Sequence, residues 1–295
     1  MIRFNKGEEK LNKFLGSERK TTVLYENEVY MIKYPDPVRD KRNALSYMNN
    51  QFSEHIGCRI FLSCGFLTQE TALGYFQAAN GAEKIVVGCK DFTQDGGTLH
   101  EFSKLGNQAM VDGKIETTIE SVYGIIEQSK LIRNKRAILE KFWDMFVVDA
   151  LLANPDRHFD NWGIFEKDGE ITFAPIYDCG SSLGALLGDE TMERLLEDPS
   201  GFKSQEFNAT SCYSMNERRI FYHEIFKNSP ADLAEAILRV VPKINMEEIH
   251  AIVDSVEAMS ELRKDYLKQA LTMRYEQILF PAWKRLQARD QGTVP

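Results

Sequence analysis

The sequence predicts an α+β protein in two lobes, strand-rich at the N-terminus and helix-rich at the C-terminus. Three observations predict it. Short β-rich runs crowd residues 21–89. A polar, glycine-bearing stretch, Thr93–Gly97 (TQDGG), follows them. Beyond it the segment Arg136–Ala153 is too long for a strand and apolar almost all round, the pattern of a buried helix.

Thr21–Tyr25 and Val29–Tyr34 are rich in β-formers, and Glu26-Asn27-Glu28 between them can turn, which predicts a hairpin. From Asp40 to Ile56 the apolar Leu45, Met48, Phe52 and Ile56 share one helical face, with Gly57 as its stop. Strands are expected at Arg59–Leu62, Leu73–Gln77 and Ile85–Cys89. With Thr93–Gly97 as the linker, the lobes are expected to span 1–92 and 93–295. The buried helix should stop at Asn154-Pro155, because a residue before proline disfavours the helical region. Trp162–Glu166 and Ile171–Ala174 form a second expected hairpin around Asp168-Gly169. Helices at Ala231–Val241, Met246–Met259 and Leu262–Leu286 complete the second lobe.

With 295 residues, 43% of them hydrophobic and 27% charged, the chain has the composition of a globular protein and not of a disordered or fibrous one. A net charge of −8 argues against direct nucleic-acid binding and against an anionic membrane surface. It leaves room for a local basic pocket that holds phosphate. The cysteines Cys58, Cys64, Cys89, Cys179 and Cys212 are odd in number and form no CxxC pair, as free thiols in a reducing compartment do. The N-terminus lacks the apolar core of a signal peptide, and no apolar run approaches the roughly 18–20 residues that span a bilayer. A cytoplasmic location without membrane attachment is expected.

The chemistry concentrates in Asn154–Phe165, NPDRHFDNWGIF, which leaves the buried helix, forms a polar loop and enters a strand. Asp156 and Asn161 stand five apart, and Asp178 follows the hairpin in IYDCGSSLG. Phosphoryl transfer uses such a set: one carboxylate orients the incoming hydroxyl, while a second carboxylate and an amide oxygen hold magnesium against nucleotide phosphates. The Asp-x4-Asn spacing alone is weak, since it also occurs at Asp149–Asn154. There Asp149 sits inside the apolar helix and reads as a buried structural acid that must find hydrogen-bond partners in the loop that follows.

The whole string DRHFDN resembles the catalytic loop DRHxxN of phosphoinositide-3-kinase-like and HipA-like kinases. IYDCGSSL resembles the metal-binding aspartate segment of that superfamily. Together they are similar to the HipA-like and CtkA-like bacterial serine/threonine kinases, from about Gly16 to Leu286. The resemblance implies a two-lobed protein-kinase-like fold and transfer of phosphate from ATP, with Mg2+, to a protein serine or threonine. It implies Asp156 as catalytic base with His158 beside it, and Asn161 and Asp178 as metal ligands. Lys33 corresponds to the strand lysine on the α/β-phosphates. Gly16, Ser17 and Lys20 fall on the turn that covers the phosphates, and Ser17, Ser181, Ser182 or another hydroxyl is the candidate for autophosphorylation. Cys89, Lys90 and Asp91 fall where the backbone meets adenine. Glu54 either pairs with Lys33 or lies on the surface. Arg157 is either a surface charge or an organiser of the substrate side. Some relatives are toxins restrained by an antitoxin, so a protein partner of that type is implied beside the protein substrate. Two other functions fit the same fold: a nucleotide-binding pseudokinase and a kinase of a soluble small molecule.

Overall fold

The computed structural model describes residues 1–11, 20–35, 49–77, 81, 83–106 and 116–290. Its N-terminal sheet contains β1 (Ile2–Arg3), β2 (Glu8–Lys10), β3 (Lys20–Tyr25), β4 (Glu28–Lys33), β5 (Thr71–Gln77) and β6 (Glu83–Lys90), ordered β1-β5-β6-β4-β3-β2. β1 runs parallel to β5 and the other neighbours are antiparallel. The β3–β4 turn puts Glu26 at φ 50° and Asn27 at φ 65°, the left-handed pair whose twist matches a two-residue hairpin. That turn sets a register in which Lys20 stands opposite Lys33 and Lys33 opposite Val87. One sheet face closes over the buried ring of Phe4. A Cβ at Gly88 would come within 2.3 Å of that ring, so only glycine lets it lie flat there.

Helix α1 (Asn50–Ser63) packs on β5 and β6. It differs from the expectation in extent: it runs straight through Gly57, and residues 59–62, expected as a strand, are its last turns. A helical glycine costs only about 1 kcal/mol, and the buried Phe52, Ile56, Ile60 and Phe61 outweigh it. The stop comes at Gly65, with φ 85°. The part of the expected helix at 40–48 lies outside the described residues.

Beyond residue 97 the chain forms β7 (Thr98–Glu101), α2 (Phe102–Leu105), α3 (Ile119–Gln128), α4 (Lys135–Leu152), β8 (Gly163–Lys167) and β9 (Glu170–Phe173). β7, β8 and β9 make a small antiparallel sheet. Asn134 caps α4 by accepting from the Ala137 N–H, and Ala153 ends it in the left-handed region just before Asn154-Pro155, where the helix cannot continue. Every residue of α4 from Phe142 to Leu152 is buried. Phe142, Trp143 and Phe146 pack edge-on and tilted against one another and against Trp162 and Tyr213. Side chains of this size contribute roughly 2–3 kcal/mol each by burial, so α4 is the axis of the larger core.

The rest comprises α5 (Asp189–Glu197), α6 (Pro199–Phe207), the hairpin β10 (Thr210–Met215) and β11 (Arg218–Phe221), α7 (Tyr222–Lys227), α8 (Ala231–Val240), α9 (Met246–Asp254), α10 (Glu261–Arg274) and α11 (Phe280–Asp290). The last predicted helix is divided in two by a π-helical turn at Tyr275–Leu279. Pro281 just beyond cannot donate to the fourth carbonyl back, and a π turn accommodates that missing bond. The fold is the expected α+β class: a curled, strand-rich N-terminal part and a helical C-terminal part.

Candidate active site

The loop between α4 and β8 is built on a buried ion pair. Arg157, 2% exposed, donates from Nε to Asp149 Oδ2 at 2.9 Å and from Nη2 to Asp149 Oδ1 at 3.1 Å. Asp149 Oδ1 also accepts from Asn154 Nδ2 at 2.9 Å, and Asn154 Oδ1 accepts from the Asp156 N–H at 3.0 Å. Asp149, the one acid of the stretch 146–153, thus finds its partners in the loop that follows, as expected. Arg157 is buried and is not a surface charge, one of the two readings the sequence left open. Its Nη1 also donates to the carbonyls of Asn161 and Tyr177, and its Nη2 lies 3.3 Å from Cys179 Sγ. One guanidinium therefore ties α4, the DRHFDN loop and the segment around Asp178 into a single unit. The bidentate fork makes this possible.

Asp178 sits after β9 with φ 57°, a left-handed conformation that aspartate tolerates better than most residues. Its Oδ1 accepts from Lys33 Nζ at 2.7 Å. Lys33 Nζ also donates to Glu54 Oε2 at 2.9 Å, with Lys33 3% and Glu54 0% exposed. Glu54 Oε1 in turn accepts from the Cys179 N–H at 3.2 Å. The pairing of Glu54 with Lys33, which the sequence left open, is thus made, and Glu54 is bonded to both Lys33 and the residue after Asp178. Burial pushes the Asp178 carboxyl up, but the Lys33 ammonium, aided by Lys20 and Arg157, overcomes this and holds it below the ordinary aspartate range. Gly57 allows this closeness. A Cβ there would lie 2.6 Å from Cys179 Cβ, so the helix that carries Glu54 can approach the Asp178 segment only with glycine at this position.

The Asp156 side chain is about one-third exposed, at 35%. Its Oδ2 accepts from Ser181 Oγ at 2.9 Å, and its Oδ1 lies 3.7 Å from His158 Nε2. Asn161 donates from Nδ2 to the Asp156 carbonyl at 2.7 Å, which fixes the amide and leaves Oδ1 as its potential ligand atom. His158 Nδ1 accepts from the Asp160 N–H at 3.2 Å, so this ring braces the loop.

The remaining expected residues divide. Gly16 and Ser17 lie outside the described residues. Lys20 faces Lys33 across β3–β4, and its charge reaches Asp178. Cys89 and Lys90 belong to β6, which has a neighbour on each side. Cys89 pairs with Met31 and Thr71. The Lys90 N–H donates to the Glu70 carbonyl and its own carbonyl accepts from Gln69 Nε2, while the Asp91 N–H donates to the Val29 carbonyl. Lys90 Nζ is turned to Glu28 and Glu70.

The segment after β6 is held at its start. Asp91 Oδ1 accepts from the Thr93 N–H and hydroxyl, Gln94 bonds Glu28 and the Val29 N–H, and Phe92 packs on Phe165 and Tyr177. Sequence reasoning also missed Asn154 and Cys179 as parts of the site.

The donor set suits a hard cation. Among the described residues no three His, Cys, Asp or Glu side chains gather as a complete metal cage. One carboxylate and one amide oxygen, completed by phosphate oxygens, fit magnesium, which seldom uses an all-protein cage.

A family model described as HipA-like C-terminal domain matches residues 13–260. The chain is 35% identical over 275 residues to the serine/threonine-protein kinase CtkA of Helicobacter pylori strain J99, covering 90% of this chain and 82% of that protein. The crystal structure of a Helicobacter pylori proinflammatory kinase CtkA superposes with a TM-score of 0.86 at 33% identity, over 97% of this chain and 98% of that one. HipA of Shewanella oneidensis MR-1, solved with HipB and operator DNA, shares the fold at a TM-score of 0.52 and 11% identity, over 93% of this chain and 69% of that one.

Proposed function

Because this chain belongs to the family of HipA-like C-terminal domains and is a protein serine/threonine kinase, we propose that it transfers the γ-phosphate of ATP, with Mg2+, to serine or threonine of a protein. The observation that carries the reading is the union of Lys33, Glu54 and Asp178 in one ion-pair chain beside Asp156 and Asn161. This is the constellation a phosphoryl-transfer enzyme needs: charge to hold phosphates, hard oxygens for a cation, and a carboxylate for the acceptor.

In this reading Asp178 and Asn161 hold magnesium, which when bound neutralises charge between the phosphates. Lys33 grips the nucleotide phosphates and Glu54 fixes its ammonium. Lys20, and Gly16 and Ser17 before it, cover the phosphates. Asp156 accepts and orients the substrate hydroxyl, and His158 braces the loop beneath it. The adenine is read by the chain after Asp91, and the lobes divide near residue 92. No helix among the described residues is long and apolar enough to cross a membrane, and we place the enzyme in the cytoplasm. An antitoxin-type protein partner belongs to the same proposal, supported by the family alone.

The test is incubation of the purified chain with γ-labelled ATP, magnesium and a cell lysate, wild type beside Asp156→Ala. Label on lysate proteins with the wild type only supports the reading. Label on neither a protein nor a small molecule, with ATP still bound, would make the chain a nucleotide-binding interaction module.

A further inference from the structure

The loop that ends α1, the first turns of α4 and the strand β9 together enclose a cavity of about 410 Å³, a size that suits a small ligand. Its walls are apolar. Phe66 from the loop, Ile138 from α4 and Ile176 after β9 line it and are buried. Leu67 lines it too and is 76% exposed, so the cavity opens to solvent past an apolar rim. Three lining residues carry polar side chains. Asn134 Oδ1 accepts from the Ala137 N–H and Thr172 Oγ1 donates to the Phe165 carbonyl, so both are engaged with backbone. The third is Lys141, half-exposed, its Nζ 5.6 Å from the centre of the Phe66 ring. Its one ion pair among the described residues is long, 3.9 Å to Asp144 Oδ2. That carboxylate is already held at Oδ1 by Arg239, from Nε at 3.0 Å and from Nη2 at 2.8 Å. Lys141 thus brings a cation, little neutralised, to the edge of an apolar cavity.

We infer that this cavity binds an amphipathic carboxylate, its apolar body among Phe66, Ile138 and Ile176 and its head group on Lys141. The lining favours hydrocarbon or aromatic carbon over a sugar or nucleotide, whose hydroxyls would be left unpaired there. The ammonium favours a negative head group over a neutral or positive one. The position of the cavity makes its ligand an effector. The loop that supplies Phe66 and Leu67 ends the helix that carries Glu54, and Ile176 stands two residues before Asp178. The Ile176 N–H donates to the Leu67 carbonyl at 2.8 Å, and the Gln69 N–H donates to the Ile176 carbonyl at 2.7 Å. These bonds hold two walls of the cavity together. A ligand between those walls therefore favours the arrangement in which Glu54 and Asp178 both meet Lys33. The effector role rests on the kinase reading above, whereas the binding does not.

The experiment titrates the full chain by calorimetry with decanoate and with decanol, which shares the apolar body and lacks the charge. The titrations are repeated on Lys141→Met, Lys141→Arg and Ala137→Phe, and ATP–magnesium affinity is measured without and with saturating decanoate. The wild type should bind decanoate about fivefold more tightly than decanol. Lys141→Met should lose that difference and Lys141→Arg should keep it. Ala137→Phe, whose ring enters the cavity, should bind neither compound while keeping the wild-type melting behaviour. Saturating decanoate should tighten ATP binding about fivefold, and ATP should tighten decanoate binding by the same factor. No binding of decanoate, or binding unchanged in a folded Ala137→Phe, would overturn the site. Equal binding of decanoate and decanol, or a charge preference that survives in Lys141→Met, would overturn the carboxylate class. Decanoate bound with ATP affinity unchanged would overturn the effector role and leave the site standing. A ligand-free chain that binds no ATP would overturn the kinase reading, while binding of decanoate would still support the site.

Discussion

Lys33 and Asp178, 145 positions apart in the chain, are joined by an ion pair of 2.7 Å, and the same ammonium is shared with Glu54. Removing the cation leaves a fully buried Glu54 carboxylate uncompensated. Lys33→Met should therefore destabilise the fold by about 3 kcal/mol as well as weaken nucleotide binding. The double variant Lys33→Met/Glu54→Gln should recover part of the stability and none of the binding. Urea unfolding with nucleotide titration of both variants checks this.

The fork of Arg157 on Asp149 predicts a different pattern. Arg157→Lys keeps the charge but cannot reach Asp149 and the Asn161 and Tyr177 carbonyls together. It should cost about 2–3 kcal/mol of stability and lower turnover, because the loop that carries Asp156 loses its strut. Asp149→Asn should lower turnover more than ATP affinity. Steady-state kinetics beside equilibrium binding separates the two effects.

At Gly57 two effects of opposite sign compete. Alanine gains about 1 kcal/mol of helix propensity, yet its Cβ would lie 2.6 Å from Cys179 Cβ. Overpacking of this kind costs about 1–3 kcal/mol, so the packing term wins. Gly57→Ala should lower the melting temperature and weaken magnesium-dependent nucleotide binding, since the atom displaced is next to Asp178. A melting temperature equal to or above that of the wild type would show that the loop yields without strain.

His55 gives the fold a pH dependence apart from catalysis. Burial, with Arg59 nearby, lowers its pKa from 6.5 to about 4, while its Nδ1 lies 3.0 Å from Thr71 Oγ1. The imidazole is neutral when folded and takes a proton when unfolded. Stability should therefore be full above about pH 6.5 and fall as pH drops towards 4, by roughly 2–3 kcal/mol. His55→Gln should flatten that part of the profile. Denaturant unfolding between pH 4 and 7 measures it, and an unchanged slope in the variant would assign the dependence to other groups.

The strings around Asp156 and Asp178 were legible because the roles ride on local sequence. Asp149, the one acid of the apolar stretch 146–153, announced its need for partners, and it has them. The cation that answers it was less visible, because an arginine in a polar loop looks solvated until the fold wraps round it. Gly57 looked like a helix stop, since nothing local says that a loop more than a hundred residues later packs on it. The place of β6 between β4 and β5 is a property of sheet order, which is non-local and leaves no local signal. β1 and β2, of two and three residues, are too short to show a period. The β10–β11 hairpin turns at Asn216-Glu217, without the glycine that usually signals such a turn.

The division of labour between Asp156 and Asp178 is the central claim, and titration of ATP with and without magnesium beside a phosphate-transfer assay tests it most directly. Asp156→Ala should still bind ATP with magnesium while transfer falls by about 10²-fold or more, the scale of a lost general base. Asp178→Ala should lose the magnesium-dependent part of binding together with transfer, and Asn161→Ala should follow it more mildly. Loss of magnesium-dependent binding in Asp156→Ala with none in Asp178→Ala would invert the roles and contradict the account.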